Sequence, residues 1–316
     1  MFTPDPAVIA LALLLDLLLG DPRWLPHPVV LIGRLISFME PPLRKSLANQ
    51  RTAGVMLLLI TVGATTASTW LLLWGCFRLA AWAGVAAAVV VSSTCLAARS
   101  LHHESALAAY ALLRGDINMA RRNLSYIVGR DTNALDDEEI WRALVETVAE
   151  NTSDGIIAPL FWLAIGGPVA AMAFKAISTL DSMVGYRNER YLQYGWASAR
   201  MDDIVNFIPA RLTAILMIVA APLAGLSARN ALHIAMRDRL KHPSPNSAHP
   251  EAAAAGALGV QLGGLSYYGG KASAKEYIGD PHRKPDENTY KGMIRLMYAT
   301  TLLMATGSLL LANFLR

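Results

Sequence analysis

Three carboxylates at four-residue spacing, Glu146, Glu150 and Asp154, stand in the run E-T-V-A-E-N-T-S-D, with Asn151 among them. On a helix they fall one above another on a single face, where like charges repel. Apolar sequence follows at once, so the acids sit at the edge of a core or a bilayer. Such a ladder calls for cations: Mg²⁺, Arg or Lys side chains, or a cationic substrate. A solvated helix face near lipid headgroups is the plainer alternative; three aligned acids beside an amide favour a site. A second dense set lies at 175–206, where Arg187, Arg190, Arg200, Asp202 and Asp203 are interleaved with tyrosines. Guanidinium groups in such a set can grip phosphate or carboxylate bidentately. Farther on, K-H-P-S-P-N-S is a proline-broken turn carrying Asn246 and Ser247. Ser247 or His249 precedes an Ala/Gly-rich helix beginning near Pro250, and a helix start behind a Ser/Asn-rich turn suits phosphate. Its small residues equally suit close helix packing.

The elements that must hold these residues are mostly apolar. Of 316 residues 54% are hydrophobic and only 16% charged, against about 25% charged in a soluble domain. The expected fold is all-α: one polytopic integral membrane domain over 1–316, with two helical cytoplasmic regions. About six hydrophobic segments fall near 4–20, 53–74, 79–98, 156–174, 207–226 and 296–313. Polar regions fill 99–154, 175–206 and 227–295. The first segment lacks a basic leader and a small-residue cleavage site, so it reads as an uncleaved membrane helix. The loop 21–52 holds five Lys/Arg against two acids and is expected in the cytoplasm. If 156–174 crosses fully, 175–206 is external, opposite the ladder; re-entry of 156–174, or of both 156–174 and 207–226, keeps other solutions open.

Within the loop 21–52, D-P-R-W-L-P-H-P forbids regular helix until Pro28, which can start one. It presents Asp21, Arg23, His27 and Arg34, as an interface anchor or an anion contact. Residues 99–154 read as helices broken at Gly115-Asp116 and at Gly129. Arg121, Arg122 and Arg130 suit a helix C-terminus or a phosphate. Asp136 with Glu139 resembles a capping box, and the helix it begins should end at Gly155. Tyr267-Tyr268-Gly269-Gly270-Lys271 is a glycine-rich turn without Walker spacing. The net charge of +4 has no basic block, which leaves nucleic-acid binding unsupported. Cys76 and Cys95 suggest neither a disulfide framework nor zinc.

Five motifs in order carry a resemblance: D-L-L-L-G-D-P-R-W-L-P-H-P-V, E-N-T-S-D-G-I-I-A-P-L-F-W, T-L-D-S-M-V-G-Y-R-N-E-R-Y, R-M-D-D-I-V-N-F-I-P-A-R and H-P-S-P-N-S-A-H-P-E-A. From Asp16 to about Lys291 the chain resembles the CbiB/CobD family of cobalamin biosynthesis. The resemblance implies an inner-membrane adenosylcobinamide-phosphate synthase. Such an enzyme forms an amide between adenosylcobyric acid and (R)-1-aminopropan-2-ol phosphate, or the amino alcohol, using ATP and Mg²⁺; the corrinoid is substrate, not cofactor. On that reading Glu146, Glu150, Asn151 and Asp154 are candidate Mg²⁺ ligands. Glu150, Asp202, Asp203 and Lys271 are candidate catalytic groups. Arg23, His27, Arg34, Arg187, Arg190, Arg200, Asn246, Ser247 and Glu251 are candidate substrate or phosphate contacts. The bilayer and other late cobalamin-pathway membrane enzymes are the expected partners. Two rivals are a non-enzymatic membrane regulator of the AmpE type and a transporter. The transporter is weakened by the lack of evident repeated halves.

Overall fold

A computed structural model describes residues 4–21, 27–186 and 188–314. Helix α1 (Pro6–Leu19) opens behind Asp5, whose carboxylate accepts the Ala7 N–H at 2.8 Å. α2 (Pro28–Ser46) starts with proline at its first position, where no backbone donor is lost, and His27 Nδ1 accepts the Val29 N–H at 3.3 Å. α3 (Gln50–Leu79) is capped by Asn49, and α4 (Ala81–Ser93) follows. α5 (Ala98–Leu113) and α6 (Ile117–Ser125) are separated at Gly115-Asp116, as the sequence suggests, with Asp116 capping α6. α7 (Asp137–Thr152) has a full capping box: the Asp136 carboxylate accepts the Glu139 N–H at 2.8 Å, and the Glu139 carboxylate accepts the Asp136 N–H at 2.9 Å.

α7 does not stop at Gly155. A π-helical turn (Ser153–Ile157) absorbs the glycine and leads into α8 (Ala158–Val184), which breaks only at the non-helical Gly167 before Pro168. The expected terminator fails because its neighbours are buried and apolar, and continuous helix satisfies their backbone groups. Next come α9 (Trp196–Val205), α10 (Phe207–Ala220), α11 (Ala228–Asp238) and α12 (Ala248–Leu258). β1 (Leu262–Tyr268) and β2 (Lys271–Ile278) then pair antiparallel before α13 (Glu287–Phe314). The polar region 227–295 is therefore not wholly helical. Gly269 and Gly270, at φ 57° and 77°, form its two-residue hairpin turn, and left-handed backbone at both positions matches strand twist.

By length and hydropathy four helical stretches among the described residues can cross a membrane: Gln50–Leu79, Ala81–Leu113, Asp137–Val184 and Glu287–Phe314. A fifth is reached when α9 and α10 are taken as one span interrupted at Asn206, and Pro6–Leu19 is apolar but short. The chain is thus an all-α polytopic membrane protein with one small hairpin.

Two compact units form. The first comprises Met1–Ala97, Ala158–Asn206 and Ala305–Arg316; the second comprises Ala98–Ile157 and Phe207–Met304. In the first, α3 packs against α2, α4, α8 and α9. In the second, α12 is buried along its whole length between α10, α11 and α7. Its alanines make that possible, and Gly256 sets the closest approach. A Cβ there would stand 2.4 Å from the Asn230 carbonyl oxygen and 2.8 Å from Ile234 Cβ. Helix propensity alone favours Ala over Gly by about 1 kcal/mol. Overpacking against rigid backbone costs about 1–3 kcal/mol, so Gly256→Ala should lower the melting temperature and Gly256→Val should lower it further. An unchanged or raised melting temperature for Gly256→Ala would show that α11 yields.

Candidate active site

The second unit gathers charged side chains from four places onto the inner face of α7. Glu146 and Glu150 are one turn apart on that helix, and Glu146 is buried. The preceding helix α6 ends at Ser125, four residues before the expected break at Gly129, and Arg130 beyond it hydrogen-bonds and ion-pairs with Glu146 Oε2. The other oxygen, Oε1, accepts the Gly263 N–H from β1 at 2.7 Å. Asp131 fixes the hairpin that supplies this donor. Its carboxylate accepts the N–H groups of Gly269 at 3.1 Å and Gly270 at 2.7 Å, while its own N–H donates to Tyr267 O at 2.8 Å.

Hairpin register does the rest. Lys275 lies opposite Gly264, one residue from the Gly263 donor, and is half-buried. Its Nζ is 3.1 Å from Nε2 of His242, whose Nδ1 accepts the Ser244 N–H at 3.0 Å. From the α12 side, Ser247 Oγ donates to Glu150 Oε1 at 2.8 Å, which explains why Ser247 does not cap its own helix. Glu251, one turn into α12, is buried at 5% exposure.

The electrostatics of this cluster are internally balanced. Burial first, then the nearby Glu150 and Glu146, push the Glu251 carboxyl well above its ordinary range, against the pull of Lys275 and Arg130. Burial alone would lower Lys275, but Tyr268 and the three glutamates raise it overall. Burial and Lys275 lower His242, with the glutamates opposing. Three carboxylates against two permanent cations leave one negative charge over, and a proton on Glu251 removes it. The cluster therefore offers a proton-holding acid, a carboxylate beside a hydroxyl donor, and two cations able to meet an anion.

A stability consequence follows from Glu251. Its folded pKa lies above the unfolded value near 4.5, so the folded chain keeps a proton that the unfolded chain has released. Its contribution is present in full at pH values below the unfolded pKa and is lost as pH rises toward the folded one. Thermal melts between about pH 5 and 8 should show a stability loss with rising pH that is smaller in Glu251→Gln. An identical slope in the two proteins would mean that Glu251 ionises normally.

Other residues singled out in the sequence lie elsewhere. Asn151 turns back on its helix, donating to Thr147 O at 2.9 Å and Thr147 Oγ1 at 3.2 Å. Asp154 falls in the π turn that follows α7. Among the described residues no three His, Cys, Asp or Glu side chains are grouped to hold a metal ion. Glu146 and Glu150 are already engaged by Arg130, the Gly263 N–H and Ser247. This donor set does not fit a resident metal centre. Asn246 is buried, and its Oδ1 accepts from Arg211 at 3.2 Å. Lys271 is exposed at the hairpin end.

In the first unit, His27 Nε2 pairs with Asp21 at 3.0 Å, and Arg34 is exposed. Arg190 bonds at 3.0 Å to the buried Glu40, which also takes Arg44 at 2.9 Å. Arg200 stands 3.8 Å from Asp203, and Asp202 accepts from Asn206 at 3.0 Å. Arg23 and Arg187 lie outside the described residues.

Sequence reasoning named Glu146, Glu150, Ser247 and Glu251 but gave no part to Lys275, His242 or Glu40. Alternating polarity in K-A-S-A-K-E-Y-I behind Gly-Gly is the strand signal that would have found Lys275.

The described chain is helical but for one hairpin, has several helices fit to cross a bilayer, and buries a carboxylate–cation cluster. It is a polytopic membrane protein with a charged interior site. Within that class the chain belongs to the CobD/CbiB family, whose sequence profile, described as CobD/Cbib protein, matches residues 9–297. It is 70% identical over 316 residues, 100% of this chain and 98% of the relative, to cobalamin biosynthesis protein CobD of Pelobacter propionicus. It is 47% identical over 299 residues to cobalamin biosynthesis protein CbiB of Salmonella typhimurium, covering 93% of this chain and 94% of the relative. For CobD of Clostridium tetani the identity is 43% over 299 residues, 94% of each. No solved structure matches the chain.

Proposed function

We propose that this protein is a cobalamin-pathway amide ligase of the inner membrane, its soluble loops mainly cytoplasmic. It joins a propionate of adenosylcobyric acid to the amine of (R)-1-aminopropan-2-ol phosphate, or of the amino alcohol, at the expense of ATP. The observation that carries the reading is the buried set Glu146, Glu150, Glu251, Arg130 and Lys275, supported by the names of the relatives.

The chemistry is balanced in two transfers. The substrate carboxylate oxygen attacks the terminal phosphorus of ATP, the bond from that phosphorus to ADP breaks, and an acyl phosphate forms. The amine nitrogen then attacks the acyl carbon, the carbon–oxygen bond to phosphate breaks, and inorganic phosphate leaves. The amine gives up a proton, and Glu150, held by Ser247, is the proposed acceptor. Glu251 carries a proton nearby and can return one to the departing phosphate. Lys275 and Arg130 offset negative charge on the transferred phosphoryl group. Mg²⁺ enters only as the counter-ion of ATP.

Binding of adenosylcobyric acid tests this reading. Detergent-purified protein should co-migrate with the corrinoid in gel filtration and shift its visible spectrum. Folded protein that leaves the spectrum unchanged and elutes without corrinoid would favour a membrane regulator.

A further inference from the structure

We propose that the start of α12, together with His249, Arg211 and Arg239, is a phosphoryl-binding subsite on the border of the carboxylate cluster. The helix contributes the positive end of its dipole. His249 supplies the independent observation. It is only 6% exposed, yet its Nε2 has no hydrogen-bond partner among the described residues. A buried ring nitrogen left so is destabilising, and a bound acceptor removes that penalty.

The charges that act on His249 are both positive. Burial first, then Arg211 and Arg239, lower its pKa to about 4. Arg211, bonded to Asn246 in the turn that leads into α12, and Arg239 both act with positive charge on the buried imidazole, so an anion is favoured at this helix start. Both arginines retain donors: Arg211 Nη1 serves Phe207 O at 2.6 Å and Asn246 Oδ1 at 3.2 Å, while Arg239 Nη1 serves Met236 O at 2.7 Å. Each guanidinium carries five N–H donors in all. Neighbouring Asp238 does not neutralise this corner, because it accepts from Arg237 Nη2 at 2.8 Å, Lys241 at 2.8 Å and the Gly279 N–H at 2.8 Å.

Ser247 links the subsite to the cluster, since its hydroxyl donates to Glu150. A phosphoryl group at the helix start would therefore lie beside the carboxylate assigned to accept the amine proton. The identity of the phosphoryl compound, ATP or the phosphorylated amino alcohol, rests on the proposed ligation; binding itself does not.

The test is calorimetric titration of purified full-length protein with inorganic phosphate, followed by displacement with ATP and with aminopropanol phosphate. Phosphate should bind, and Arg239→Gln and His249→Ala should each weaken it about tenfold. One of the two compounds should displace it, and which one assigns the subsite. Undetectable phosphate binding, affinity unchanged from the parent protein in both variants, or displacement by neither compound would overturn the proposal. If His249→Ala fails to fold, Arg239→Gln, altered at a half-buried side chain, carries the test. Amide formation without phosphate binding would remove the subsite and leave the ligase reading; phosphate binding without amide formation would do the reverse.

Discussion

Arg130→Met should destabilise the protein by about 3–5 kcal/mol, the cost of leaving one partner of a buried ion pair uncompensated. Arg130 and Glu146 are 11% and 7% exposed, so water cannot replace the lost guanidinium. The Gly263 N–H would remain on Glu146, but one neutral donor does not balance a buried carboxylate beside Glu150 and Glu251. The double variant Arg130→Met/Glu146→Gln should recover most of the loss, because the amide oxygen still accepts from Gly263 while the charge is gone. Denaturant unfolding in detergent measures both effects. A single-variant loss below about 1 kcal/mol would place the pair in the solvent-screened class. A double variant no better than the single would show that packing, and not charge, was lost.

Glu150→Gln should act on turnover and leave folding alone. The amide oxygen can keep the Ser247 hydrogen bond of 2.8 Å, so the local structure is preserved while the proton acceptor is removed. General-base loss predicts a fall of about 10²–10⁴-fold in kcat, with far less change in the KM for the amine. Unchanged kcat would take the base role from Glu150. A rise in KM alone would make it a binding residue. Asp202→Asn gives the contrast in the first unit: Asp202 accepts from Asn206 on its own helix, and nothing in the proposed chemistry passes through it.

Much of this arrangement was legible from local chemistry. Asp136 with Glu139, Pro28 behind a proline-rich loop, and the break at Gly115-Asp116 each act through neighbours within four residues, and each forms as the spacing predicts. The acidic ladder was legible as a problem needing cations, but not for which cations answer it. Arg130 meets Glu146 because the hairpin tip is fastened to Asp131, a contact across 138 residues to Gly269 that no local pattern encodes. Gly155 misled for a related reason: a glycine ends a helix only where the chain may turn to water, and here burial carries the helix on through a π turn. Lys271 drew notice by its place after two glycines, yet the two-residue period of the strand brings Lys275 into the cluster. Glu251 was visible only as part of a motif, since neither its burial nor its proton can be read from an alanine-rich run.

The most direct test is amide formation by detergent-purified protein given adenosylcobyric acid, aminopropanol phosphate, ATP and Mg²⁺, each omitted in turn. The account predicts adenosylcobinamide phosphate, with one ADP released per amide, only when all four are present. Folded protein that binds the corrinoid but forms no amide, or forms it without ATP, would contradict the account.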